Sequence, residues 1–210
     1  MQIKKLDIRT NIINIGKQLF LENEFSKTSM KKIAIDANLS TSNIYTYFKN
    51  KEDLLNEIVK LAVIAYQNFL KETSTDEIWQ DTNSWTVESE IKVFEKYIDM
   101  IYLYKDEFII LFLKSRNSKF ENFYNEVLNS HFLTSKKVNE MSIGGNFNYL
   151  KRDVPNYIIK NIVKMYMNIL VEGLEENISK KEMNKRMKEC AEFLFKGYEI
   201  YFTDEIKNKR

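Results

Sequence analysis

The 210-residue chain is long enough to bury a substantial core, and its 44% hydrophobic and 30% charged residues lie outside the composition of disordered chains. One proline and five glycines are too few for an all-β fold with many tight turns or a doubly wound fold with glycine-rich loops, so long helices are expected. The net charge of +2 hides an asymmetry: residues 1–51 carry nine Lys/Arg against four Asp/Glu, a net of +5, and leave −3 for the rest, which points the N-terminal fifth toward a polyanion.

Ile8, Ile12, Ile15 and Leu19, with Phe20 alongside, recur at helical spacing and predict an amphipathic helix over about 7–22. Thr28 and Ser29 can each cap a second helix with Met30, Ile33, Ala34 and Ala37 on its apolar face, and Asn38 offers the left-handed conformation that stops it. Ser40 opens a third segment of about two turns, with Ile44, Tyr45 and Phe48 on one side. Asn50 caps a fourth helix that has acids in its first turn and an apolar stripe from Leu54 to about Lys71. The polar stretch 73–90 has no sustained period and reads as a connection whose Trp79 and Trp85 tuck against the body. Helical spacing resumes at Ile91, passes through 108–112 and again through 120–141, and breaks at Gly144, Gly145 and Asn146. Pro155 suits the first turn of a helix bearing Ile158, Ile159, Ile162, Val163, Tyr166, Ile169, Leu170 and Leu174, and a last helix is expected over about 181–206. The fold class is therefore all-α, with about nine helices.

Cys190 and His131 are the single residues of their types, which excludes a cysteine-based zinc site and histidine-centred metal or acid/base chemistry; both read as packing residues. With no glycine-rich phosphate loop and no metal-ligand cluster in the sequence, no catalytic residue, metal or cofactor is expected. The start has no apolar signal core and 108–113 is the densest apolar run, so a cytoplasmic protein that does not span a membrane is expected.

Two short helices joined by a tight turn, with a longer helix before and a long one after, form a helix-turn-helix in a three-helix core. The second short helix holds Ser40, Thr41, Ser42, Asn43, Tyr45, Thr46 and Tyr47, small and polar enough for a major groove, and only Ile44 and Phe48 need face inward. The same residues suit a solvated helix in an ordinary helical protein. Residues 9–55 closely resemble the DNA-binding domain of TetR-like transcriptional regulators, through Phe20, Thr28-Ser29-Met30, Ile33-Ala34, Ala37-Asn38-Leu39-Ser40, Ile44-Tyr45, Tyr47-Phe48, Asn50-Lys51-Glu52 and Leu54-Leu55. Glu24 and Asn38 stand where the family often has glycine; Asn tolerates a positive φ, whereas Glu24 implies a somewhat different turn.

The resemblance implies a DNA-binding domain over 1–50, a connecting helix over 51–72 and a ligand-binding and dimerisation domain over 73–210. It implies that Thr28 or Ser29, Tyr45, Tyr47 and Lys51 hold phosphates, that Lys31, Thr41, Ser42 and Thr46 face base edges, and that Asn43 does either. The recognition helix has no arginine, so a site read partly by shape and A·T-rich contacts is expected. The implied partners are double-stranded operator DNA, a second copy of the chain and a small effector of lipophilic or aromatic character. Tyr97, Met100, Ile101, Tyr104, Phe108, Phe112, Phe123 and Tyr166 are the candidate pocket residues, and Ile169, Gly173, Leu194, Tyr198 and Tyr201 the candidate interface. The expected function is a ligand-released repressor binding a palindromic operator as a homodimer; the alternative is a helical sensor or adaptor of the same fold without DNA activity.

Overall fold

The computed structural model describes residues 2–74, 87–142, 150, 152–198 and 200–201, and the elements among them are helical. In chain order they are α1 (Gln2–Lys27), α2 (Met30–Asp36), α3 (Thr41–Ile44), α4 (Lys51–Ser74), α5 (Val87–Leu103), α6 (Lys105–Ile109) running into a π turn (Ile110–Lys114), α7 (Phe123–Met141), α8 (Asn156–Glu175) and α9 (Lys180–Tyr198). The stretch expected as a connection is shorter than its polarity suggested. Thr73 is buried at the end of α4 with its hydroxyl donating to the Phe69 carbonyl at 2.8 Å, and Glu88 and Glu90 sit in the first turn of α5, where the helix dipole favours acids. Trp79, Trp85 and the 144–146 break lie outside the described residues.

The chain packs into two compact units, Met1–Tyr66 with Tyr104–Tyr124, and Gln67–Leu103 with Asn125–Arg210. Packing thus groups 104–124, expected in the second domain, with the N-terminal residues. In the first unit, Ile12, Phe20, Ile33, Ile44, Phe48, Leu54 and Leu55 are the fully buried centre. Helix α1 approaches α4 closely at Gly16, where a Cβ would lie 2.8 Å from Leu54 Cδ2. Arg9 pairs with Glu57 at 3.2 Å, and its guanidinium lies 5.0 Å from the centre of the Phe48 ring. The π turn packs on α1, and Lys17 reaches Asp106 at 3.5 Å and Glu107 at 3.2 Å.

In the second unit α9 packs on α5 and α8. A Cβ at Gly173 would come within 2.4 Å of Met183 Cε and 2.7 Å of Ile178 Cδ1, so this glycine serves an internal close approach. Pro155 stands at the N-cap of α8, and Asn177, with φ 54°, follows its end.

The caps read from the sequence form as local chemistry dictates. Ser29 accepts from the Lys32 amide at 3.1 Å, Ser40 from the Asn43 amide at 3.1 Å, and Asn50 from the Asp53 amide at 2.8 Å. Asn38 takes φ 56° and ends α2, with the Leu39 amide donating to the Ala34 carbonyl at 2.8 Å. Glu24 corrects the expectation of a different turn: it interrupts α1 at φ 68° and ψ 157°, so the backbone keeps a glycine conformation without the glycine. The turn is fixed from outside, by the buried Thr28 hydroxyl, which lies 2.8 Å from the Glu24 carbonyl and 3.2 Å from that of Leu19.

A side chain in this backbone region costs about 1–3 kcal/mol. Replacing Glu24 also removes a partly exposed pair with Lys27 at 3.4 Å, which is worth at most about 1 kcal/mol. Glu24→Gly is therefore expected to raise the urea midpoint of unfolding, by about 1 kcal/mol of stability. A lower midpoint would show that Glu24 is not strained.

Candidate functional site

Helix α3 is only four residues long, too short to persist by its own hydrogen bonds, and it is held by Ile44 and Phe48, both buried as expected. Its other side is polar. Ser29, Lys31, Ser40, Thr41, Ser42, Asn43 and Thr46 are exposed, Tyr45 is 49% exposed and Tyr47 half-buried. Tyr45 thereby leaves the hydrophobic side on which its spacing had placed it. Three hydroxyls are already engaged locally: Ser40 caps α3 and lies 3.0 Å from the Ser42 hydroxyl, and Thr46 donates to the Asn43 carbonyl at 2.7 Å.

Two residues that the resemblance assigned to phosphates have internal duties. Thr28 is buried with its hydroxyl on carbonyls of α1, so of the pair Thr28 or Ser29 it is Ser29 whose side chain reaches solvent. The Lys51 ammonium donates to the Phe25 and Thr28 carbonyls, each at 2.7 Å, and lies 4.1 Å from the centre of the Phe25 ring. Burial lowers its pKa from the usual lysine value, against the opposing effect of Glu52. Lys51 thus ties the start of α4 to the turn between α1 and α2, and two of its three protons are in use.

The second unit contains a cavity of about 170 Å³ built by the end of α4, by α5, α7 and α8, and by Met187 of α9. Of the expected pocket residues, Tyr97 and Tyr166 line it. Met100, Ile101, Tyr104, Phe108, Phe112 and Phe123 do not. Phe108, Phe112 and Phe123 instead form an aromatic chain in the first unit, with ring centres 5.5 and 6.1 Å apart and Tyr66 5.8 Å from Phe123. Large rings at helical spacing here pack against one another instead of lining that cavity.

The cavity wall is mainly aromatic and aliphatic. Phe69 lies 5.1 Å from Tyr97, Phe94 4.3 Å from Tyr166, and Tyr97 4.9 Å edge-on to His131, measured between ring centres. Its acid is Glu90, whose carboxylate accepts a hydrogen bond from the Tyr166 hydroxyl at 3.0 Å. Burial pushes this carboxyl up to about 7, partly offset by the Tyr166 bond, and pushes the His131 imidazole down to about 4. Burial and the charge of Glu90 also raise the Cys190 thiol to about 11. Asn139 borders the cavity but is committed to structure, donating to Asp153 and accepting from the Val154 amide at 3.3 Å. Glu90 escaped the sequence reading because it sits in a polar, aperiodic stretch, and His131 because a lone histidine on a helix face is usually a packing residue.

Among the expected interface residues, Gly173 and Tyr201 are buried within their own unit, Gly173 against Ile178 and Met183 and Tyr201 with the Arg152 guanidinium 4.7 Å from its ring centre. Ile169 and Leu194 are half-buried, and Tyr198 closes α9. Phe193, 73% exposed, and Ile200, 54% exposed, are apolar surface that the buried stripe of α9 did not flag.

Residues 12–58 match the model of "Bacterial regulatory proteins, tetR family". The chain is 36% identical over 59 residues to the HTH-type transcriptional regulator UidR of Escherichia coli K12, covering 28% of this chain and 30% of that protein. It is 35% identical over 57 residues to an uncharacterised HTH-type transcriptional regulator of Haemophilus influenzae, covering 27% of this chain and 30% of that one. The aligned stretch thus spans about a third of the length of these curated relatives. The fold is similar to that of NalD, the secondary repressor of the MexAB-OprM multidrug efflux pump in Pseudomonas aeruginosa, with a TM-score of 0.61 at 16% identity over 96% of this chain and 98% of that one. A TetR-like transcriptional regulator from a Rhodococcus species gives 0.61 at 12% identity over 90% and 96%. Residues 12–58 are thus similar to the helix-turn-helix domain of the tetR family of bacterial regulatory proteins, and the likeness to the solved structures extends to the fold.

Glu90 and His131 give the fold two opposed pH dependences. Folding raises Glu90 from 4.5 to about 7, so the folded state holds the extra proton and stability falls as pH rises across that window. Folding lowers His131 from 6.5 to about 4, so the unfolded state holds the extra proton and stability falls as pH drops across that window. Glu90→Gln is therefore expected to gain in melting temperature relative to wild type as pH rises from about 4.5 to 7. A difference independent of pH would mean that Glu90 ionises normally in the fold.

Proposed function

We propose that the protein is a ligand-responsive transcriptional repressor that binds a palindromic operator as a homodimer in the cytoplasm and is released by a small, mostly apolar effector. The observation that carries this reading is the exposed polar face of α3 and its flanks, on a helix whose apolar side chains are fully withdrawn. In this reading Thr41, Ser42 and Thr46, with Lys31, face base edges, Asn43 faces base or phosphate, and Ser29, Tyr45, Tyr47 and the remaining proton of Lys51 hold phosphates. One such short helix reads few base pairs, so two copies set about one turn of DNA apart supply the selectivity. Exposed Phe193 and half-buried Ile169 and Leu194 support an interface on the last two helices. The largely apolar cavity supports an effector of lipophilic or aromatic character, whose preference for the unbound conformation by a few kcal/mol would empty the operator.

The test is a mobility-shift titration against DNA from upstream of the protein's own gene, at two salt concentrations and with unrelated competitor. A salt-sensitive complex of dimer stoichiometry that survives competitor is expected. Tyr45→Phe should weaken it about equally on all sequences, whereas Thr41→Ala should change which base is preferred. Loss of equal size on every sequence for Thr41→Ala would remove that residue from the base edges, and no specific complex on any fragment would favour a helical sensor that does not read DNA.

A further inference from the structure

We propose that the cavity selects an amphipathic cation, a protonated amine whose nitrogen pairs with the Glu90 carboxylate and whose aromatic or alkyl body lies among Phe69, Phe94 and Tyr97. This rests on the reading of the cavity as an effector site and names the class of effector. Glu90 stands at one side of a wall made of rings, and the hydroxyl of Tyr166 fixes its carboxylate through a 3.0 Å hydrogen bond. The Tyr166 ring is itself tilted against Phe94, 4.3 Å between centres, so the carboxylate and an aromatic surface adjoin, which is the pairing that recognises an organic ammonium.

The charge balance of the wall makes the same argument. Among the described residues, no lysine or arginine lines the cavity. Among the described residues, the titratable groups around Glu90 are Tyr97 on its own helix, His131 on α7, Tyr166 on α8 and Cys190 on α9. Burial keeps the Cys190 thiol protonated and His131 neutral at neutral pH. Among the described residues of the wall an ionised Glu90 therefore has no counter-ion, and a ligand that brings one is favoured over a neutral molecule of the same shape. A ligand carboxylate or phosphate meets the opposite condition, because it would have to share the site with Glu90 or force it to stay protonated. Because Glu90 is raised to about 7, part of the protein carries a proton there at neutral pH, and ammonium binding displaces that proton to the buffer.

The experiment is calorimetric titration of the full chain, without DNA, using three probes with one body and different heads: 4-phenylbutylamine, 4-phenylbutanol and 4-phenylbutyrate. The amine is expected to bind about tenfold or more tighter than the alcohol, and the carboxylate more weakly than either. Repeating the amine titration at pH 7 in buffers of different ionisation enthalpy should reveal proton release. In Glu90→Gln the amine-to-alcohol preference should fall to about one. The ranking on wild type stands by itself if the variant does not fold. The proposal is overturned if the alcohol or the carboxylate binds as tightly as the amine, if none of the three binds, or if the variant keeps the preference. Adding the amine to the operator complex is a separate measurement: binding without release of DNA would uphold the cation site while removing the effector role.

Discussion

The reading face depends on the burial of two side chains. Four residues cannot close enough helical hydrogen bonds to stand alone, so α3 exists because Ile44 and Phe48 are taken fully into the first unit. Each large apolar side chain so buried contributes about 1.5–3 kcal/mol, enough to fix a segment whose other residues are Ser, Thr, Asn and Tyr. Those residues have low helix propensity and compete for the backbone with their own hydroxyls, as Ser40 and Thr46 do. The polarity that suits them to DNA would unravel the segment without this anchor. The anchor in turn needs its own setting: Arg9 over the face of Phe48, and Gly16 letting α1 come close to α4.

The turn between α1 and α2 shows the same economy of means. Glu24 holds a backbone conformation that glycine would take without strain, and the buried hydroxyl of Thr28 and the ammonium of Lys51 close the structure around it. Lys51 donates to the Thr28 carbonyl and adds a second donor to the Phe25 carbonyl, which also accepts from the Thr28 amide, and its ammonium lies over the Phe25 ring. A lysine in this position thus serves the head before any DNA arrives. Its assignment to a phosphate is an addition to a structural duty, and the two cannot be separated by a simple truncation.

What the sequence made legible is what local chemistry decides. Ser29, Ser40 and Asn50 cap because a short oxygen-bearing side chain before a helix satisfies an amide that has no other partner. Asn38 turns left-handed because few other residues do so cheaply. The buried stripes of α1, α4 and α8 followed from periodicity. The cavity did not, because periodicity says which face of a helix is withdrawn from water and nothing about whether it meets another side chain or a void. Phe108, Phe112 and Phe123 found each other, while the void fell beside Glu90 and His131, residues that no apolar pattern selects. Gly173 shows the same limit, since close approach is readable from a glycine but the approaching partner is not. The π turn at 110–114 also left no mark, because one extra residue in a continuous apolar run preserves its composition.

The composition of the reading face also bounds how it can discriminate. From Ser40 to Phe48 there is no arginine or lysine, so the bidentate contact to guanine, worth about 1–3 kcal/mol of discrimination, is not available from α3. Hydroxyls accept from or donate to almost any base edge, and Ser40 and Thr46 are partly occupied by the backbone already. Selectivity on such a face has to come from the Asn43 amide, from contact of the Thr41 methyl with thymine, and from the fit of two heads to the shape and spacing of one site. On the proposed reading each copy alone would be a weak reader, which is the chemical argument for pairing two of them on one site.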